Sequence, residues 1–408
     1  MEPPHSSLRN GTLQNSATTD LPVAERVGNL ARSGLFGLLA TAQGGHTIDL
    51  ALGVPAVPVT PPGLIEMACA ALRDGVNQYE QPDGNIELRQ RIAAELAVPT
   101  DPATELTITV GATTALTAAI LAIVDPGDEV IVFEPLYENF ISAIALAGGV
   151  PRLVTMHAPD WCFDAAELRA AFGPRTKAVV LCTPNNPTGH MLTRREFADI
   201  AELCERWNAV LISDEIYSTY VYAGNRHVSA ADIAGLGDRN IVIGSLSKSH
   251  AVCGWRIGFV RANAALSNSI RRVHVAVCGG AAAPLQAAAA RMAAARPGFL
   301  RPLAKLDAQR VLVVSIFDDI GFRCIPPDGG CYAMADIRQF TDDDCESLAY
   351  RLAQQAGVMV APGRFFYAVA AQGDHLIRIA FNRRLATLDE VRRRLSAYQA
   401  ADQRFIAR

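Results

Sequence analysis

Between residues 106 and 243 the chain repeats one pattern: a short apolar run, a turn of glycine or polar residues, then a segment of helical character. The apolar runs cover 106–110, 129–133, 177–182, 209–213 and 241–243. Near-continuous apolar character suits strands covered on both faces, the condition of a parallel sheet with crossover helices. Ligands of such sheets bind beyond the carboxyl ends of the strands. The ends at 110, 133, 182, 213 and 243 therefore converge on one crevice, and the fold class is α/β.

The last run leads into Gly244-Ser245-Leu246-Ser247-Lys248, and eight residues after the lysine comes Arg256, in Gly254-Trp255-Arg256. A lone lysine after an apolar strand is commonly a solvated loop residue. Here the flanking residues are small and apolar, so the amine is expected to face inward. Burial lowers an ammonium pKa and frees the neutral amine as a nucleophile. Serines and an arginine alongside suit a dianionic phosphate. An amine able to form a Schiff base, next to a phosphate clamp, is what pyridoxal 5′-phosphate requires of a protein.

The other turns carry chemistry of their own. Gly111-Ala112-Thr113-Thr114 precedes a helix, where free backbone N–H groups and the dipole favour an anion; a tight turn with an N-cap threonine is the plainer alternative. Tyr137 follows the second run, where an aromatic is usually core packing. Thr183-Pro184-Asn185-Asn186-Pro187-Thr188-Gly189 follows the third, and generic turn chemistry accounts for its residue types but not for the whole string. Asp214, in Asp214-Glu215-Ile216-Tyr217, ends the fourth; a carboxylate there is costly unless paired. Outside this region, Gly53 is either a turn glycine or a point of close backbone approach. Arg378, within His375-Leu376-Ile377-Arg378-Ile379-Ala380-Phe381, is either an outward surface residue or a buried carboxylate clamp.

Together these segments resemble the class I/II aminotransferases, the aspartate aminotransferase-like, pyridoxal-phosphate-dependent enzymes of fold type I. The resemblance rests on Ser245-Leu246-Ser247-Lys248 with Gly254-Trp255-Arg256, on Asn77-Gln78-Tyr79 with Gly84 and Leu88-Arg89, on Gly111-Ala112-Thr113, on Asn186-Pro187-Thr188-Gly189, on Asp214 with Tyr217, and on Arg378-Ile379 with Phe381. It covers roughly residues 45–400. It implies a large domain with a mostly parallel seven-stranded sheet flanked by helices, plus a smaller α/β domain. The expected division is a disordered tail over 1–20, an N-terminal segment over 21–60 packing with the small domain, a large cofactor domain over 61–296 and a small domain over 297–408.

The resemblance also implies roles. Lys248 carries the cofactor as a Schiff base and moves the substrate proton. Asp214 pairs with the pyridine nitrogen, Tyr217 and Asn186 share the phenolic oxygen, and Tyr137 stacks on the ring. Ala112, Thr113, Ser245, Ser247 and Arg256 hold the phosphate, joined by Tyr79 from the neighbouring subunit of a homodimer. Gly53, Asn186 and Arg378 receive the substrate, with Arg378 gripping its α-carboxylate. The implied reaction moves an amino group between an L-amino acid and a 2-oxo acid. The same constellation serves a lyase of the cysteine-conjugate β-lyase type, or a cyclase or replacement enzyme of secondary metabolism.

Composition excludes other classes. The net charge is −4 and the pI about 6.1, so no basic face for nucleic acid is implied. An aminotransferase-like sensor domain of a transcription regulator would need an attached DNA-binding part, and the residues before Ile48 are few and not basic. The apolar run 116–124 stops at Asp125-Pro126-Gly127-Asp128, too short for a membrane span. The first twenty residues are polar, without the apolar core of a secretory signal, and a cytoplasmic enzyme is expected. Nine cysteines without a Cys-x-x-Cys pair or clustered histidines imply reduced thiols and no metal site. Two places depart from the family pattern. His250 is either a packed imidazole or a group that tunes protons near the cofactor, and Cys278-Gly279-Gly280-Ala281 is an unusually small-residue run.

Overall fold

The computed structural model describes residues 24–28, 30, 34, 37, 47–222, 224–303 and 305–406. The expected tail over 1–20 lies outside them, as does most of 21–47, within which Glu25–Gly28 is a helical turn.

The large sheet has eight strands: β1 (Leu106–Val110), β2 (Glu129–Glu134), β3 (Val150–His157), β4 (Cys162–Phe163), β5 (Thr176–Cys182), β6 (Val210–Asp214), β7 (Asn240–Ser245) and β8 (Ile257–Ala262). Their spatial order is β1-β8-β7-β6-β5-β2-β3-β4. β3, β2, β5, β6 and β7 run parallel. β8 runs against β7 on one side and β1 on the other. Seven strands have five residues or more, as expected; β4 adds a two-residue edge pairing with β3.

The helices that cover this sheet are α1 (Pro62–Arg73), α2 (Ile86–Glu95), α3 (Gly111–Ile123), α4 (Asn139–Leu146), α5 (Ala165–Ala171), α6 (Arg194–Trp207), α7 (Leu246–Ser249), α8 (Ala264–Cys278) and α9 (Ala283–Ala295). Alternate strand residues face opposite layers. Val130, Val132, Val180, Ile212, Ile241 and Ile243 pack with Leu116, Ala119 and Ile120 of α3. Val179, Leu181, Leu211 and Val242 face the other way, onto Phe197, Ile200 and Leu203 of α6. Each fully buried aliphatic side chain contributes ~1.5–3 kcal/mol. α6 is bounded by a capping box between Thr193 and Glu196 and by Asn208 in the left-handed region.

After α9 come α10 (Asp307–Asp319), α11 (Cys345–Arg351) and α12 (Leu385–Ile406), with a second, antiparallel sheet. Its strands are β9 (Arg323–Ile325), β10 (Tyr332–Asp336), β11 (Ala361–Pro362) and β12 (Leu376–Ala380), ordered β9-β10-β12-β11. Val358–Met359 pairs with Ile48–Asp49, and β11 pairs with β12. The segment after Ile48 continues along this sheet, with the Ala380 amide donating to the Leu50 carbonyl at 2.7 Å. No described helix is long and apolar enough to cross a membrane.

Candidate active site

A cavity of about 220 Å³ opens at the carboxyl ends of β1, β5, β6 and β7. Gly53, Ala112, Thr113, Tyr137, Asn186, Asp214, Tyr217, Ser245, Ser247, Lys248, Arg256 and Arg378 all line it. Tyr79 does not; its side chain is 99% exposed on the surface of this chain.

Lys248 lies in α7, the short helix that follows β7. Ser245 caps that helix, its Oγ accepting the Ser247 amide at 3.0 Å and donating to the Ile257 carbonyl at 3.2 Å. The Tyr220 hydroxyl donates to the Lys248 carbonyl at 2.7 Å. Lys248 Nζ donates to the Gly53 carbonyl at 3.1 Å. Burial pulls this ammonium down, but Tyr332, Cys253 and Cys331 push the other way and prevail, so the amine is held above its ordinary value. The expected depressed amine is corrected on this point. Tyr332 and Cys331, brought in by the fold, together with the nearby Cys253, outweigh desolvation.

At the other end of the cavity, α3 starts directly after β1. Val110 stands at its N-cap without a side-chain bond, so the first-turn amides of Ala112 and Thr113 are not capped by the N-cap threonine considered above. Two glycines bring these amides into place. Gly111 has φ +72°, and a Cβ there would run into the Arg256 guanidinium. A Cβ on Gly258 would meet Gly111 C at 2.6 Å and Ala112 N at 2.8 Å. Arg256 adopts left-handed φ 55°, ψ 49°, and its Nη1 donates to the Cys253 carbonyl at 3.0 Å. Ser247 Oγ is buried with no partner in the protein.

Asp214 ends β6, buried, its Oδ1 accepting the Ile216 amide at 3.3 Å. Burial pushes it up to about 7. Arg378, in β12, is buried, with Nη1 donating to Asn186 Oδ1 at 2.8 Å and Nη2 to the Ala51 carbonyl. Its guanidinium lies over the Tyr332 and Phe366 rings. Its Nε is buried without a partner, and among the described residues no carboxylate pairs with it.

Several groups here escaped the sequence reading. Tyr332 lines the cavity, its hydroxyl 3.2 Å from that of Tyr217, and a side chain on Gly53 would overlap its phenol. Arg383 binds the Asp49 and Val54 carbonyls at 2.7 and 2.8 Å, fixing the strand segment that carries Gly53. One signal was available: the chain has only three lysines, and Lys177 and Lys305 are both exposed. His250 lies outside the cavity. Its Nε2 donates to the Phe299 carbonyl at 2.6 Å, Ser249 Oγ lies 2.8 Å from Nδ1, and burial pushes it down to about 4. It is a neutral packed imidazole. Gly279, at φ +73°, caps the end of α8, and the run 278–281 does not line the cavity.

The cavity offers three complementary features: donors for an anion in the α3 amides, Ser247 and Arg256, a buried carboxyl at Asp214 for a cationic partner, and at Lys248 an amine able to condense with an electrophile. A phosphate, a protonatable ring nitrogen and an aldehyde on one molecule meet them, and pyridoxal 5′-phosphate carries all three.

Comparison with known proteins agrees. The profile of the family described as aminotransferase class I and II matches residues 46–395. A probable N-succinyldiaminopimelate aminotransferase of Mycobacterium tuberculosis is 36% identical over 354 residues, which cover 82% of this chain and 88% of the relative. Kynurenine–oxoglutarate transaminase 3 of Mus musculus is 33% identical over 320 residues, covering 72% of this chain and 70% of the relative. The solved structure of N-succinyldiaminopimelate aminotransferase from Mycobacterium tuberculosis superposes with a TM-score of 0.87 at 34% identity, covering 92% of this chain and all of that one.

Proposed function

This chain belongs to the aminotransferase class I and II family, a pyridoxal-phosphate-dependent transaminase of fold type I, and we propose on that premise which of its residues perform the transfer. When bound, pyridoxal 5′-phosphate supplies an aldehyde that condenses with an amine and a ring that accepts the electron pair left when a substrate bond breaks. The assignment rests on one observation above all. Lys248 Nζ, partly buried, and the buried Asp214 carboxyl and Arg378 guanidinium line a single cavity.

In this reading Lys248 is the covalent anchor and, once released, takes the proton from the substrate Cα. Asp214 holds its negative charge at the ring nitrogen. Tyr217 and Asn186 hold the phenolic oxygen, and Tyr137 covers the ring. The amides of Ala112 and Thr113, with Ser245, Ser247 and Arg256, hold the phosphate. Arg378 holds the substrate carboxylate by a two-pronged contact, with Asn186 and the Gly53 segment bounding the same pocket.

The active form is proposed to be a homodimer with Tyr79 reaching the partner's phosphate site. Its full exposure supports this, as does the apolar surface at Ile65, Leu72, Ile86, Val275 and Val277. The division into a cofactor domain over 61–296 and a small domain over 297–408, with 21–60 packed on the latter, is supported by the pairing of Ile48 with Val358. A cytoplasmic location is supported by nine cysteines that all lack a disulfide.

The relatives are named as transaminases, and the lyase alternative is not favoured. Incubating the holoenzyme with an amino-acid panel and a 2-oxo acid tests this. A new amino acid formed without ammonia is expected. Pyruvate and ammonia released from a cysteine conjugate, with no need for an oxo acid, would reverse the reading.

A further inference from the structure

After the short pairing of Ile48–Asp49 with Val358–Met359, the segment that carries Gly53 belongs to no strand or helix. Every carbonyl from Asp49 to Val54 is nevertheless hydrogen-bonded. Arg383 takes three of them: its Nε donates to Asp49 at 2.7 Å, its Nη1 to Val54 at 2.8 Å and its Nη2 to Leu52. Leu50 accepts the Ala380 amide at 2.7 Å, and Ala51 accepts Arg378 Nη2. Gly53 accepts Lys248 Nζ at 3.1 Å and Asn382 Nδ2 at 3.2 Å. Apart from Lys248, all of these donors belong to residues 378–383, so β12 and the residues just after it dictate the path of the segment.

The carbonyls fall into two sets. Those of Ala51 and Gly53 turn to Arg378 and Lys248, which line the cofactor cavity; those of Asp49, Leu52 and Val54 turn to Arg383, which does not line it. A guanidinium suits the second set because it holds five N–H donors in one rigid plane, whereas an ammonium is a single point. Arg383 is buried, and its Nη1 also donates to Asn382 Oδ1 at 2.6 Å. With its oxygen engaged there, Asn382 presents its NH2 to the Gly53 carbonyl. The amides of the segment are held as well. Asp49 Oδ1 accepts those of Ala51 and Leu52 at 2.8 and 2.9 Å, and Asp49 Oδ2 lies 3.8 Å from Arg383 Nη2.

We propose that Arg383 is a positioning residue for substrate binding: by holding the carbonyls of Asp49, Leu52 and Val54 it fixes the Ala51 carbonyl, which in turn aims the Arg378 guanidinium. This role rests on Arg378 gripping the substrate carboxylate. Without the hold, Arg378 keeps Asn186 and the faces of Tyr332 and Phe366 but loses the acceptor that sets its Nη2 edge. The same hold keeps the Gly53 carbonyl in place for the Lys248 amine.

Arg383→Met keeps the aliphatic stem and removes the fork. Single-turnover conversion of the holoenzyme, with the fastest-reacting of the common L-amino acids, gives a maximal rate and a half-saturating concentration. Arg383→Met should raise the half-saturating concentration about tenfold, the worth of one hydrogen bond to a charged group, and change the maximal rate less than about threefold. Arg383→Lys, which keeps the charge and folds more readily, should raise it about threefold. In an Arg378→Leu background either substitution should add less than about twofold, because effects that pass through one shared partner do not add. In the cofactor-stripped protein, hydrogen exchange at the Ala51 and Leu52 amides should quicken at least about tenfold in Arg383→Met. An Arg383 effect that persists in full without Arg378, a fall in maximal rate at unchanged half-saturation, or unchanged exchange at Ala51 and Leu52 would each overturn the positioning role. If Arg378→Leu alone saturates like wild type, the carboxylate grip itself is wrong and the role of Arg383 falls with it.

Discussion

The Arg378 guanidinium lies 4.2 Å from the centroid of the Tyr332 ring, which carries it over the cavity between Asn186 and the Ala51 carbonyl. A desolvated cation–π contact is worth roughly 2 kcal/mol. Tyr332→Ala is therefore expected to raise KM for both amino acid and 2-oxo acid about 30-fold, with a much smaller fall in kcat. Tyr332→Phe keeps the ring, loses one hydrogen bond to Tyr217, and should stay within about fivefold of wild type. Steady-state kinetics in both directions separate these outcomes.

Asp214 gives a pH dependence with a definite sign. Burial raises its carboxyl from 3.8 to about 7, so the folded, cofactor-stripped protein keeps a proton that the unfolded chain releases. Stability from this group is complete below about 4 and is lost as pH rises through about 7. The melting temperature of stripped wild type should fall relative to Asp214→Asn across that window. Added cofactor should cancel the difference by pairing the carboxylate. In the holoenzyme, Asp214→Asn should lower kcat about 100-fold or more.

Gly258 tests the phosphate end. A methyl group there meets backbone atoms of Gly111 and Ala112 that cannot swing aside. Gly258→Ala should displace the amides at the start of α3 and weaken cofactor affinity at least about tenfold. Fluorescence titration of the stripped protein with pyridoxal 5′-phosphate reads the effect.

His250 should behave as structure only. Replacing it by Phe strands the Phe299 carbonyl, a loss of roughly 1–3 kcal/mol of stability. The pH–rate profile of transamination should not move. A displaced limb of that profile would return the imidazole to the reaction.

Much of this architecture can be read in the chain because chemistry and periodicity coincide. Each of Ala112, Asn186, Asp214 and Lys248 follows an apolar run, and the runs become β1, β5, β6 and β7 with their ends on one cavity. β3 was less legible, since Pro151 and Arg152 interrupt it at a sheet margin where only β4 lies beyond. The start of α10 at Asp307 is also poorly marked, since Leu306 gives it no side-chain cap. Tyr332 and Arg383 could not be foreseen at all. Their importance comes from contact with residues 49–54, distant in the chain (329 and 334 positions for the two Arg383 contacts), and no local pattern encodes that meeting. The direction of the Lys248 shift was hidden for the same reason, because Cys331 and Tyr332 reach it only through the fold.

The transfer chemistry requires the coenzyme to be attached at Lys248. Borohydride reduction of the holoenzyme, followed by digestion and mass mapping, should place a phosphopyridoxyl group on Lys248 in near-stoichiometric yield, with Lys177 and Lys305 unlabelled. An unmodified Lys248 peptide, or label on either of the two exposed lysines instead, would contradict it.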